Sequence, residues 1–333
     1  MTKRDAFFHL IDLFDQLGIR YALVGNTDEY PDHIGSDVDI VTDAEGMRRF
    51  HHAIWTLEDR GLRVIQCFQH EITAFYYILA FRTDDGGWGF IQPDICTDYY
   101  RHARKLLDAG PMLERRRKQE CPECPGGGFF VLAPHDEFLY YLLKKIGKKG
   151  LSESQFEHLR RTFASAPDTC RAALGRFPAI SATVVAAMES GDAASLSASL
   201  PDLKASLLRS GALGSPRRFR DSIRKFSRIL HPTGFVAVLA GASGENRERA
   251  ARLHAELFHA FRRQADFAAS EKCLFRTLVK ARTASTFAVL DAMPCGLARF
   301  LVDVVLSPDA DCASAVLDCL STRAKSRFRN IQG

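Results

Sequence analysis

Tyr21-Ala22-Leu23-Val24-Gly25-Asn26, ten further residues, and then Asp37-Val38-Asp39-Ile40-Val41-Thr42 form the stretch on which the fold turns. Tyr21 to Val24 and Val38 to Thr42 are β-branched or aromatic runs bounded by Gly, Asn, Pro and Asp, a pattern that predicts two short strands joined by a loop. Side chains alternate along a strand, so Asp37 and Asp39 are expected on the same side. Two carboxylates aimed together repel unless a positive charge lies between them, and a hard divalent cation such as Mg²⁺ (or Mn²⁺) answers that need. Gly25 lets the backbone approach a bulky ligand, and Asn26 tolerates a tight turn while offering a side-chain donor. A phosphate held there would lie beside the metal. An Asp-x-Asp pair also arises by chance at strand ends; the preceding strand, the Gly-Asn turn and the spacing agree here with the metal-binding reading.

Working outward, Phe7, Leu10, Ile11, Phe14 and Leu17 recur at helical spacing behind Thr2 and Asp5, which can cap a first helix over residues 3–17. Met47, Phe50, Ile54 and Leu57 predict a second amphipathic helix ending near Gly61. Leu62 to Phe68, Thr73 to Phe81 and Trp88 to Cys96 are strand candidates, with Asp84-Asp85-Gly86-Gly87 as a hairpin turn between the last two. The resulting sheet should be mixed, with its helices mostly on one side. Pro93, which has no N–H for a ladder, suggests an edge or a bulge in the last of these strands.

With these residues in place, the chain resembles the DNA polymerase beta-like nucleotidyltransferases, whose signature is a Gly-Gly or Gly-Ser pair, about ten residues, and Asp-x-Asp. Gly25-Asn26 departs mildly from the pair. The context Ile34-Gly35-Ser36-Asp37-Val38-Asp39-Ile40 is similar to a bacterial group, often found among surface-polysaccharide genes, in which such a domain is joined to a thymidylate-kinase-like domain. The resemblance implies a nucleoside triphosphate as one substrate and a small acceptor, such as a sugar or sugar phosphate, as the other. It implies phosphate contacts from Gly25, Asn26 and Ser36, and a third metal-binding carboxylate on a later strand. Asp94 is the natural candidate, with Asp98 as the alternative. It also implies a lysine-bearing helix against the site, so that Lys144 and Lys145 become candidate phosphate contacts; cations at a helix C-terminus equally suit the helix dipole.

Between these parts, Arg101, Arg104, Lys105 and Arg115-Arg116-Arg117-Lys118 form a basic run, read either as a solvated helix face or as an attractor for anions. Cys121-Pro122-Glu123-Cys124 has metal-ligand spacing but no second pair, which favours a loop carrying two thiols over a zinc site. From Pro134 the pattern turns helical: Phe138, Leu139, Leu142, Leu143 and Ile146 mark one buried stripe, and Ser152 with Gln155 caps the next helix. Residues 217–229 alternate Arg or Lys with Phe or Ile, suiting an inter-domain helix with a solvated basic face or contact with an anionic membrane surface.

Phe235 to Ala240 then leads into Gly241-Ala242-Ser243-Gly244-Glu245-Asn246-Arg247-Glu248, the frame of a P-loop with Asn, Arg and Glu where glycine, lysine and a hydroxyl residue belong. A carboxylate beside the phosphate pocket opposes the anion, so this lobe reads as kinase-like in shape and eroded in chemistry. Residues 287–291, 302–308 and 323–329 would be its later strands and basic end.

The 333 residues, 46% of them hydrophobic, can build two or three cores. The apolar runs are too short for a membrane span, and His9, Asp12 and Asp15 interrupt a leader-like start, so a cytoplasmic location is expected. Nine cysteines in such a setting read as reduced thiols. A formal net charge of +5 does not call for a nucleic-acid partner. The expectation is an α/β protein in parts: an α+β nucleotidyltransferase-fold domain with a mixed sheet (1–130), a helical domain (131–213), a basic linker (214–231) and a degenerate P-loop domain (232–333). Two rivals stand beside metal-dependent nucleotidyl transfer: a small-molecule kinase working through the last lobe, and a non-catalytic nucleotide-binding scaffold.

Overall fold

The computed structural model describes residues 1–101, 103–147, 150–209, 222, 233–240, 243–261, 263–268, 271, 273–307 and 311–331. The fold is α/β. Helix α1 (Lys3–Gln16) starts on the expected capping box, Thr2 and Asp5 each accepting from the other's end of the first turn. Strand β1 (Tyr21–Val24) pairs antiparallel with β2 (Val38–Thr42), with Val24 opposite Asp39. Helix α2 (Ala44–Ala53) begins on Asp43, whose carboxylate accepts from the Gly46 N–H, and runs through a 3₁₀ turn to Gly61 at φ +80°.

The long hairpin β3 (Arg63–Glu71) and β4 (Ala74–Arg82) continues into β5 (Trp88–Ile91) and β6 (Pro93–Cys96). Against β4, β5 and β6 keep one register, from Ala74↔Cys96 to Arg82↔Trp88, with the gap at Gln92-Pro93. Pro93 therefore marks neither an edge nor a bulge. It opens β6 inside the sheet, between β4 and β2, at a strand's first residue where its missing N–H interrupts pairing without shifting it.

A small hairpin, β7 (Tyr99–Arg101) with β8 (Arg104–Leu107), and helix α3 (Ala109–Glu114) lead to β9 (Arg117–Glu120) and β10 (Gly128–Val131). The sheet runs β3-β4-β6-β2-β1-β10-β9. The basic run is thus no helix face: Arg117 and Lys118 lie on an edge strand, where charged side chains discourage further pairing. Cys121 and Cys124 are buried free thiols in the turn before β10.

Helices α4 (Pro134–Ile146), α5 (Glu153–Ser165), α6 (Pro167–Leu174), α7 (Pro178–Ser190) and α8 (Ala193–Arg209) follow. They correct the expectation of helices mostly on one side. Tyr21, Leu23, Val38 and Ile40 pack with α1 and α2, while Ala22, Val24 and Val41 pack with α4 and the helices behind it. Strand β1 is buried at every residue, which only two covering layers can achieve.

The basic segment 217–229 and residues 241–242 of the expected P-loop lie outside the described residues, as do Lys148 and Lys149 and the side chains beyond 326. The last sheet, β11 (Phe235–Leu239), β12 (Arg263–Phe267), β13 (Thr286–Leu290) and β14 (Val304–Leu306), is all parallel in the order β12-β13-β11-β14. Its helices are α9 (Ser243–Glu256), α10 (Leu274–Thr283) and α11 (Cys312–Ile331). Val316, Leu317 and Leu320 of α11 share a core with Ile65, Ile78 and Phe90, so this helix covers the β3 end of the first sheet. No helix among the described residues is long and apolar enough to cross a membrane.

Candidate active site

The site grows from one register. Strand β6 runs parallel to β2 with Asp94 directly beside Asp39, and Asp37 stands two residues before Asp39 on the same face. That face is the one covered by α4. The result is a trio, Asp37, Asp39 and Asp94, each half-buried, with one carboxylate oxygen apiece lying within 4.8 Å of the others. Asp98, the alternative third acid, is turned elsewhere: its carboxylate accepts from the Ala109 N–H at 3.0 Å and from Lys105 at 3.2 Å.

Crowding shows in the protonation of the site. Burial first, then the charges of Asp39, Asp37 and Glu71, push the Asp94 carboxyl far above the ordinary range, with Lys144 acting against them. Lys144 projects from the last turn of α4 and is bonded to Asp39; burial alone would lower its pKa, but Asp39 and the other two acids raise it. Ser36 donates to Asp37 at 2.7 Å. The phenol of Tyr30 is pushed up to about 12 by burial and by Asp39 and Asp37.

These oxygen donors suit a hard divalent cation, and the Lys144 ammonium lies against Asp39. Lys145 does not reach the trio in the same way; it is buried, with its ammonium 4.5 Å from the centre of the Tyr141 ring.

The Gly25 turn differs from the expectation. Gly25, at φ +100°, donates its N–H to Glu137 Oε1 at 2.9 Å and Oε2 at 3.1 Å. Glu137, buried in the first turn of α4, also meets His158 Nε2 at 2.9 Å. Burial raises the Glu137 carboxyl, and His158 and the Gly25 N–H work against that rise. Asn26 accepts from Arg161 through Oδ1 at 3.2 Å. Gly25, Asn26 and Ser36, three of the residues expected to contact phosphates, thus have partners within the protein.

Asp39 and Asp94 line one of two cavities over the sheet, and the second lies farther along it. One, of about 100 Å³, lies over β4 and β6, lined by Asp94, Glu71, Thr73, Tyr99, Tyr140 and Lys144. The other, of about 210 Å³, lies over β1, β10 and β9, lined by Gly25, Glu137, His158, Arg117 and Arg161. Glu137, His158 and Arg161 escaped the sequence reading. The acid was visible as a helix-start residue, but its use on Gly25 depends on β10 pairing in parallel with β1, which carries the start of α4 to the end of that strand.

No family model matches the sequence, and no curated protein matches it. Among solved structures, an antigenic nucleotidyltransferase-like protein from Paracoccidioides brasiliensis is similar at 13% identity and a TM-score of 0.36, over 56% of this chain and 91% of that one. The antibiotic-resistance factor ANT(2'')-Ia is similar at 11% identity and a TM-score of 0.34, over 56% and 95%. A Thermotoga maritima protein described as a nucleotidyltransferase is similar at 19% identity and a TM-score of 0.28, over 44% and 89%. Likeness at these scores does not establish a shared fold or activity.

Proposed function

We propose that this chain is a divalent-metal-dependent nucleotidyltransferase, passing a nucleoside monophosphate from a nucleoside triphosphate to a small acceptor. The observation that carries the reading is the trio of carboxylate oxygens within 4.8 Å on adjoining strands, two of them lining a cavity. Asp37, Asp39 and Asp94 would hold Mg²⁺ or Mn²⁺, which when bound neutralises phosphate charge at the reacting phosphorus.

The chain's own residues do the rest. Asp94, next to the smaller cavity, orients the acceptor hydroxyl and takes its proton as the oxygen bonds to the α-phosphorus and the bond to pyrophosphate breaks. Lys144, which lies against Asp39, would offer its charge to phosphates within reach of α4. A sugar or sugar phosphate is the acceptor class that the sequence resemblance implies, and surface-polysaccharide metabolism the setting it suggests. In this reading residues 1–130 and 131–213 make the two walls of the site, and residues 232–333 are a kinase-like lobe without its chemistry.

The kinase alternative gains little from the last sheet. Asn246, in the second glycine's place, is buried and gives its amide to the carbonyls of Leu239 at 3.2 Å and Asp291 at 3.3 Å. The test is transfer of labelled nucleoside monophosphate from each α-labelled triphosphate to a panel of sugars and sugar phosphates, with Mg²⁺ and with chelator. Metal-dependent product is expected, and its absence for Asp37→Asn ties it to the trio. Product that survives that substitution refutes the assignment.

A further inference from the structure

Gln92 is tied to three parts of the molecule at once. It precedes Pro93 and Asp94, so its backbone leads into the strand that carries the third acid. Its carbonyl accepts from the Val38 N–H at 2.9 Å, and Val38 stands between Asp37 and Asp39. Its side chain, 7% exposed, gives Nε2 to the carbonyl of His259. His259 belongs to the last lobe, in the turn Phe258–Ala260 between α9 and β12. The register on β4 runs to Ile91 on one side and resumes at Asp94 on the other, skipping Gln92 and Pro93. The bond to the last lobe therefore falls where the ladder has its gap.

Burial holds that turn against the first sheet. Leu257, Ala260 and Phe261 share a core with Ile65, Ile78 and Phe90. Gln66 on β3, also buried, donates Nε2 to the Ala260 carbonyl at 2.9 Å, so consecutive carbonyls of one turn take two amides from the sheet. At the rim, Arg82 meets Asp311 at 2.8 Å and Lys325 meets Glu58 at 2.6 Å, but ion pairs in contact with water are weakly held. Lys3 reaches the same corner as Gln92. Its ammonium bonds the Gly35 carbonyl; burial lowers its pKa and Asp37 resists, while the His259 ring is lowered by burial and then by Lys3.

We propose that Gln92 is a positioning residue through which the last lobe holds β6 and the Asp37-Val38-Asp39 segment in the register that brings the three carboxylates together on a metal ion. Carboxylates around a metal tolerate little displacement, and the bonds behind them govern affinity. A buried amide-to-carbonyl bond suits the task because it is directional and has no water competing for it. The inference rests on the proposed metal-dependent transfer, and it gives the last lobe a part in that reaction without a ligand of its own.

Two matched variants of the full chain test it. Gln92→Met keeps most of the volume and removes the donor, and Gln66→Met does the same one carbonyl away. Both should lower Tm by a similar few degrees. In calorimetry of the metal-free chain with Mn²⁺, Gln92→Met should weaken binding about tenfold, whereas Gln66→Met stays within about twofold of the intact chain. In the transfer assay Gln92→Met should lower kcat about tenfold with KM for the triphosphate within about threefold, and Gln66→Met should change neither. Gln92→Asn, which keeps an amide one methylene short of the turn, should show the same ordering in milder form if Gln92→Met does not fold. Equal effects of the two sites on Mn²⁺ affinity and kcat, or a Gln92→Met chain that binds Mn²⁺ like the intact one, overturn the positioning role and leave the transfer reading standing. Mn²⁺ binding weakened at Gln92 alone, without any transfer, sinks the enzyme reading and keeps the role. No Mn²⁺ binding by the intact chain overturns both.

Discussion

Two strands in this molecule are short, fully buried and end beside a cavity: β1, which runs into Gly25, and β11, which ends at Leu239. Around the first, three carboxylates converge, and Lys144 sits against one of them. Around the second, polar groups are absorbed by the fold. Asn246 ties α9 to the ends of β11 and β13, and Arg249 bonds the carbonyls of Ala240 and Ser307 at 2.8 Å each. Polar side chains that satisfy one another hold strands together; polar side chains left in conflict await something from outside.

The contrast breaks most sharply at Asp37. Asp37→Asn keeps an acceptor for Ser36 but removes a charge from the trio, so transfer should fall on the order of 10²–10³-fold or more while Tm hardly moves; a turnover assay paired with a thermal scan reads both. Asn246→Ala should do the opposite. It leaves two buried carbonyls without donors and should cost about 1–3 kcal/mol in denaturant unfolding, with kcat unchanged once the protein is folded.

Asp94→Asn separates function from stability at a single residue. The folded carboxyl, raised from 3.8 to about 8, keeps a proton that the unfolded chain has released above about pH 4. The native state therefore binds more protons, and metal-free stability should decline as pH climbs through that window. Asp94→Asn should flatten the decline and stabilise the metal-free protein at pH 8 by about 1 kcal/mol while abolishing transfer, read from Tm against pH in chelator. Smallest is Arg247→Ala. Arg247 is exposed at the wall of the cavity at the strand ends of the last sheet, and its removal should change transfer less than about twofold. A large loss there would move the chemistry to the last sheet.

Much of this was legible in the chain. Local rules suffice for Thr2 and Asp5 capping α1, for Gly61 ending the turn after α2, and for strands at 21–24 and 38–42, because each depends on neighbours a few residues away. Asp94 was reachable only through the sequence resemblance, with Asp98 beside it as the alternative. The basic run misled because charge says nothing of period: Arg117 and Lys118 suit a strand edge as well as a helix face. Pro93 misled because a missing N–H reads as an edge, whereas here it falls in a gap of an interior ladder.

What could be known from residue order alone was the pair Asp37 and Asp39, since alternation along five residues of strand puts them on one face whatever surrounds them. The other groups of the site came from far along the chain. Asp94 arrives by the parallel register of β6 on β2, Lys144 by the packing of α4, and Glu137 by the pairing of β10 with β1, across 55, 105 and 112 positions of sequence. Local stereochemistry carries no term for such separations; burial of a shared core does, and it brought these charges together.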